Sequence, residues 1–125
     1  FRAFSSEKTG KVTEALSDYT KAIELNPNYV EALVNRGLLH YKDNNFGQAI
    51  KDDTRALEIA AAGIKPMILV NRANAFMQAG QLNEALSDLN EAVSVDPNYK
   101  RAYQSRAAVF QKLGQDAKAR EDLAR

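Results

Sequence analysis

Apolar residues recur at steps of three and four along nearly the whole chain, as in Leu16, Tyr19, Ile23 and again in Leu82, Leu86, Leu89. That is the period of a helix with one buried face. The runs are punctuated at regular intervals. Asn26-Pro27-Asn28-Tyr29 and Asp96-Pro97-Asn98-Tyr99 are stops, because Pro cannot continue a helix and pushes the residue before it out of the α region. Gly10, Asn44-Asn45, Gly80 and Gly114 mark tighter turns between the stops. The pattern predicts eight helices, over 1–8, 12–26, 30–43, 46–60, 66–79, 82–95, 99–113 and 116–125, folded into antiparallel pairs. No stretch reads as a strand.

The chain also repeats itself. Asn35-Arg36-Gly37, Asn71-Arg72-Ala73 and Ser105-Arg106-Ala107 are versions of one phrase, and Ala15, Ala49, Ala85 and Ala119 stand 34, 36 and 34 residues apart. Such a period signals stacked helical units rather than one closed globule. Gly37, Ala73 and Ala107 fall on the first helix of a pair, and the Ala series opens the second. Ala22, Ala56 and Ala92 follow that opening Ala by two helical turns and share its face. Small residues on facing helices allow close backbone approach, and Leu16, Tyr19, Ile23, Phe46, Ile50, Leu57, Phe76, Leu82, Leu86, Leu89 and Phe110 fill the gaps.

These positions resemble the tetratricopeptide repeat, with small residues at three places, an aromatic before the turn inside each unit and Pro at its end. The resemblance implies an all-α, right-handed superhelical solenoid of antiparallel helix pairs, about 3.5–4 repeats in a single array. The repeats fall at about 1–29 (partial), 30–63, 66–99 and 100–125 (partial). The incomplete outer repeats, the missing polar capping helix and a chain that opens on Phe1 lead us to expect a piece of a longer protein or a partner over the ends. The middle junction carries two extra residues and no Asp-Pro stop. There the Ala60-Ala61-Ala62 run is expected to extend the helix, Gly63 to end it in a left-handed cap and Pro66 to open the next. Such a junction is either a tolerated loop variant or a local change of superhelix pitch.

A charged pair travels with the repeat. Arg2, Arg36, Arg72 and Arg106 precede the small residue, and Asp18, Asp52, Asp88 and Asp122 stand three residues after the opening Ala. Four Arg and four Asp in register predict a recurring ion pair that sets repeat geometry, within one helix pair or across to the next. A planar guanidinium suits a partly buried, bidentate contact with a carboxylate.

In the family the first helices line the concave face, which gives the candidate peptide groove. The third helix contributes Glu31, Val34, Asn35, Leu38, Tyr41 and Lys42. The fifth contributes Met67, Val70, Asn71, Asn74, Met77 and Gln78, and the seventh Arg101, Gln104, Ser105, Ala108, Gln111 and Lys112. Phe1, Phe4 and Lys8 would continue the stripe. Apolar Val34, Leu38, Met67 and Val70 beside amides that donate and accept suit an extended peptide or a helix. The clamp by which co-chaperones of this family hold a chaperone's C-terminal carboxylate is met poorly. Val34, Leu38 and Ser105 stand where it wants Lys, Asn and Arg; Asn71 matches and Arg101 could replace a Lys. Starting one repeat earlier does no better. A chaperone tail is therefore not the expected ligand.

Composition narrows the chemistry. The 17 basic and 16 acidic residues leave a net charge of +1, which gives no general attraction to nucleic acid or anionic membrane. The groove's Lys8, Lys42, Arg101 and Lys112 against Glu31 make no phosphate track. Zero Cys excludes disulfides and thiolate sites and makes the cytoplasm the default expectation. His40, the single histidine, stands at the repeat place of Phe76 and Phe110 and reads as a packing imidazole. Asp52 and Asp53 diverge by about 100° on a helix and form no carboxylate dyad. No phosphate loop or metal cluster stands out, so no enzyme, cofactor or metal is expected. The expected role is a non-catalytic adaptor or scaffold holding a partner peptide or helix. The alternative is an architectural subunit or rigid spacer of a multiprotein assembly, held by its edges.

Overall fold

The structure, a computed structural model, describes the backbone of residues 2–124 and the side chains of residues 13–124. Seven α-helices follow in order: α1 (Arg2–Leu25), α2 (Val30–Lys42), α3 (Phe46–Ile59), α4 (Lys65–Gln78), α5 (Leu82–Val95), α6 (Lys100–Lys112) and α7 (Asp116–Leu123). A short 3-10 turn, Ala62–Ile64, precedes α4. No described residue lies in a strand. The chain divides into two compact units, Phe1–Ile59 and Ala60–Arg125.

In the first unit α2 packs against α3, and α1 against α2. In the second unit α4 pairs with α5 and α6 with α7, while α5 and α4 both pack on α6. The small residues do what their positions require. Ala49, Ala56, Ala73, Ala85, Ala92, Ala107 and Ala119 are all buried. Around them pack Leu33 in the first unit, and Ile68, Leu69, Leu89 and Val109 in the second.

The turns inside each pair share one construction. Asn44, Gly80 and Gly114 adopt φ of 62°, 82° and 78°. The N–H of the next residue reaches back to the carbonyl of His40, Phe76 or Phe110 at 2.7–2.8 Å. These 6→1 bonds are paired with 5→2 bonds from the N–H of Asn44, Gly80 and Gly114 to the carbonyls of Tyr41, Met77 and Gln111 at 3.0–3.1 Å, the set by which a left-handed residue closes a helix end. The Pro stops use a different device. The Asn28 and Asn98 N–H groups bond the side-chain oxygens of Asn26 and Asp96 at 3.2 and 3.1 Å.

Two expectations fail. The predicted turn at Gly10 is absent, and the two predicted helices 1–8 and 12–26 are one continuous α1. A helical Gly costs only about 1 kcal/mol relative to Ala, so a lone Gly does not by itself break a helix. At the middle junction, α3 ends at Ile59 rather than running into the Ala stretch. Gly63 lies in the 3-10 turn and has no positive φ. Pro66 does stand in the first turn of α4, where its missing N–H has no intrahelical partner to lose.

Candidate functional site

The Arg–Asp register is the most regular geometry in the molecule. Nε and Nη2 of Arg36 donate to the two carboxylate oxygens of Asp52 at 2.8 and 2.7 Å. Arg72 and Asp88 repeat the arrangement at 2.8 and 2.7 Å, as do Arg106 and Asp122. Each ion pair ties the two helices of one helix pair together, α2 to α3, α4 to α5 and α6 to α7. The carboxylates are buried while the guanidinium groups keep a partly exposed edge.

The free edge has its own partner. Arg36 Nη1 donates to Thr20 Oγ1 at 3.2 Å, and Arg106 Nη1 to Asn90 Oδ1 at 3.0 Å. Both acceptors lie on the preceding helix, so one guanidinium links three helices. The Asp52 hydrogen bond raises the pKa of Arg36 above its ordinary value; burial opposes this and the Asp52 charge adds to it. Asp122 does the same for Arg106. Thr20 and Asn90 each stand two residues after a register Asp.

Aromatic rings lie under two of these guanidinium groups. Arg72 is 5.6 Å from the Phe76 ring centroid, and Arg106 is 5.4 and 5.8 Å from Tyr103 and Phe110. In the first unit His40 takes the ring's place. Its Nε2 lies 3.9 Å from Asp52 Oδ2, and its buried Nδ1 has no hydrogen-bond partner among the described residues. Gly37 replaces the Ala of the other repeats for a local reason. A Cβ there would lie 2.9 Å from Oδ1 of the buried Asp53.

Of the fourth expected pair, the side chain of Arg2 lies outside the described residues. Arg2 and Asp18 lie 16 residues apart on the continuous α1, which separates them by about 24 Å. Asp18 is exposed.

The candidate groove residues divide into two groups. Val34 and Val70 are core, with Val70 fully buried, so they offer no surface to a ligand. Each helix packs on more than one neighbour, and the buried arc is wider than a single-stripe reading allows. Asn71 is also buried. In the first unit, Asn35 is half-buried and Glu31, Leu38 and Lys42 are exposed. In the second, Met67, Asn74, Ser105 and Ala108 are half-buried, and Gln78, Arg101, Gln104 and Lys112 are exposed. Phe1 lies outside the described residues, as do the side chains of Phe4 and Lys8. No group of three or more metal-ligating side chains occurs among the described residues, and no described helix is long and apolar enough to cross a membrane.

Stacked antiparallel helix pairs, with small residues at their contacts and a turn construction repeated in each, define a helical-repeat protein. The model of the TPR repeat matches residues 8–44 and 73–114, and the chain belongs to the tetratricopeptide repeat family. Among curated relatives, it is 33% identical over 93 residues to TPR repeat-containing thioredoxin TTL4 of Arabidopsis thaliana, covering 74% of this chain and 13% of that protein. The chain thus spans a small part of that relative's length. Its fold matches MamA of Desulfovibrio magneticus RS-1 with a TM-score of 0.82 at 19% identity, over 94% of this chain and 66% of that one. The first TPR of Spaghetti (RPAP3), solved bound to the HSP90 peptide SRMEEVD, matches with a TM-score of 0.70 at 27% identity, over 74% of each chain.

Proposed function

We propose that the chain is a non-catalytic protein–protein interaction module whose first helices carry the binding surface for a partner peptide or helix. The observation behind this reading is where hydrogen-bonding capacity stands unused. Asn35, Asn71, Asn74 and Ser105 are buried or half-buried, and none makes a side-chain hydrogen bond among the described residues. All four lie on first helices. Their polar atoms are left to water, so a ligand that supplies donors and acceptors can replace that water. An extended backbone supplies both.

On α4 and α6 the surface runs through Met67, Asn74, Gln78, Arg101, Gln104, Ser105, Ala108 and Lys112. On α2 it comprises Glu31, Asn35, Leu38 and Lys42. The peptide complex of the related repeat domain supports peptide capture as a use of this architecture. Its carboxylate-terminated ligand is not the one we propose here, because Val34 and Leu38 stand where a clamp would need a cation and an amide.

A pull-down from source extract, read by mass spectrometry, tests the reading. Wild type is compared with Asn74→Ala/Gln104→Ala, two helix-compatible substitutions outside the fully buried core. A partner retained by wild type and lost by the variant supports it. Partners retained equally by both would move the interaction to the second helices or edges and favour the architectural role.

A further inference from the structure

The first helices of the second unit carry charge of one sign. On α4 and α6 stand Lys65, Arg72, Lys100, Arg101, Arg106 and Lys112, and neither helix holds an acidic residue. The helix between them is the reverse, since α5 has Glu84, Asp88 and Glu91 and no base. Arg72 and Arg106 are neutralised within the molecule by Asp88 and Asp122. Arg101 and Lys112 are exposed, and neither makes an ion pair among the described residues. Arg101 Nη1 donates instead to the neutral Tyr99 hydroxyl at 3.2 Å.

The two cations stand in line. Eleven residues separate Arg101 from Lys112, which sets them within about 20° of each other round α6 and about 17 Å apart along it. Between them on the same side lie half-buried Ser105 and Ala108, small residues that leave room for a ligand. On α4, which packs on α6, the stripe Met67, Asn71, Asn74 and Gln78 carries no charge. Asn71 is 8% exposed and makes no side-chain hydrogen bond among the described residues. The corresponding ends of the stripe on α2 hold Glu31 and Lys42, a balanced pair. The excess of positive charge therefore belongs to the second unit and is not a general consequence of the repeat.

We propose that the α4–α6 face of the second unit takes an extended acidic segment of a partner protein. Two of its Asp or Glu side chains meet Arg101 and Lys112, and its uncharged middle lies against the amides of Asn71, Asn74 and Gln104. This rests on the reading of the first helices as partner-facing and adds the chemistry of the ligand. Charge complementarity sets the sign. Spacing sets the kind of chain, because about 17 Å is about five residues of extended peptide. Acids about four or six residues apart fall on one face of such a segment, within reach of the two long, flexible cations. A nucleic-acid strand carries a phosphate on every nucleotide and would want cations along the whole stripe, where Ser105 and Ala108 stand instead. Both acids come from side chains, so the ligand needs no free C-terminal carboxylate.

The test is selection from a random pool of twelve-residue peptides on the immobilised chain, with both peptide ends capped so that no terminal carboxylate is present. Wild type is compared with Arg101→Glu/Lys112→Glu, which alters exposed side chains alone, and with Asn74→Ala/Gln104→Ala. Wild type is expected to enrich peptides with Asp or Glu four or six residues apart. An enriched peptide should bind more weakly as salt is added and lose at least about tenfold in affinity on the charge reversal. Enrichment that is lost with Asn74→Ala/Gln104→Ala but shows no preference for acids would overturn this proposal and leave the first-helix reading standing. Enrichment that neither variant alters would overturn both. No enrichment by wild type would overturn the acidic ligand, as would binding of a random single-stranded RNA pool in its place, abolished by the charge reversal.

Discussion

At the scale of single residues, the Arg–Asp pairs are structural because of where their charges sit. Removing Arg72 leaves Asp88, 4% exposed, as a buried carboxylate without its two strongest donors. Arg72→Ala is expected to cost about 3 kcal/mol. Arg55 offers the contrast, since its 3.5 Å pair with Glu58 is exposed on both sides. Breaking a pair of that kind costs about 0–1 kcal/mol. Urea titrations of Arg72→Ala and Glu58→Ala check this, and equal losses would mean that the buried pairs contribute no more than surface ones. Both Arg36 and Arg106 are held above their ordinary pKa. A raised cation contributes fully below its unfolded pKa and is lost only above its folded one. The arginines therefore add no pH dependence to stability anywhere near neutrality.

Among the helices and turns, three glycines that look alike in sequence behave differently. Gly80 has a positive φ that an L side chain adopts at a cost, so Gly80→Ala should destabilise by about 1 kcal/mol. Gly63 has no positive φ, and a Cβ there meets nothing within 4 Å. Gly63→Ala should be neutral or slightly stabilising. Gly10 lies inside α1, and Gly10→Ala should stabilise by up to about 1 kcal/mol and raise helicity. Thermal melts with circular dichroism separate the three, and a loss at Gly10 would mean that a turn forms there. The positions of the helices were legible in the sequence because period and punctuation agreed at every stop that carries Pro or a left-handed residue. Gly10 and Gly63 were not, because composition marks where a left-handed turn is allowed rather than where one forms. Val34 and Val70 were misread for a related reason. Helical spacing tells which residues share a face, but the width of the buried arc depends on how many neighbours the helix packs against. The Arg–Asp pairing could be read from register alone, whereas the additional bonds to Thr20 and Asn90 needed the geometry of the preceding helix.

At the scale of the molecule, the two units differ in how completely they close. The largest fully buried side chains among the described residues, Ile68, Leu69, Val70, Leu89 and Val109, all belong to Ala60–Arg125. Repeat stabilities add approximately unit by unit, so hydrogen exchange should be slowest in α4, α5 and α6 and fastest in α1. Uniform protection across all seven helices would contradict that ordering. The functional account rests on the first helices being the partner-facing ones. A photoreactive residue placed at Gln104 on α6, compared with the same residue at Ser87 on α5, tests this most directly, since both side chains are exposed. The account predicts partner crosslinks from position 104 and none from position 87. Crosslinks from position 87 alone would contradict it and place the interface on the second helices.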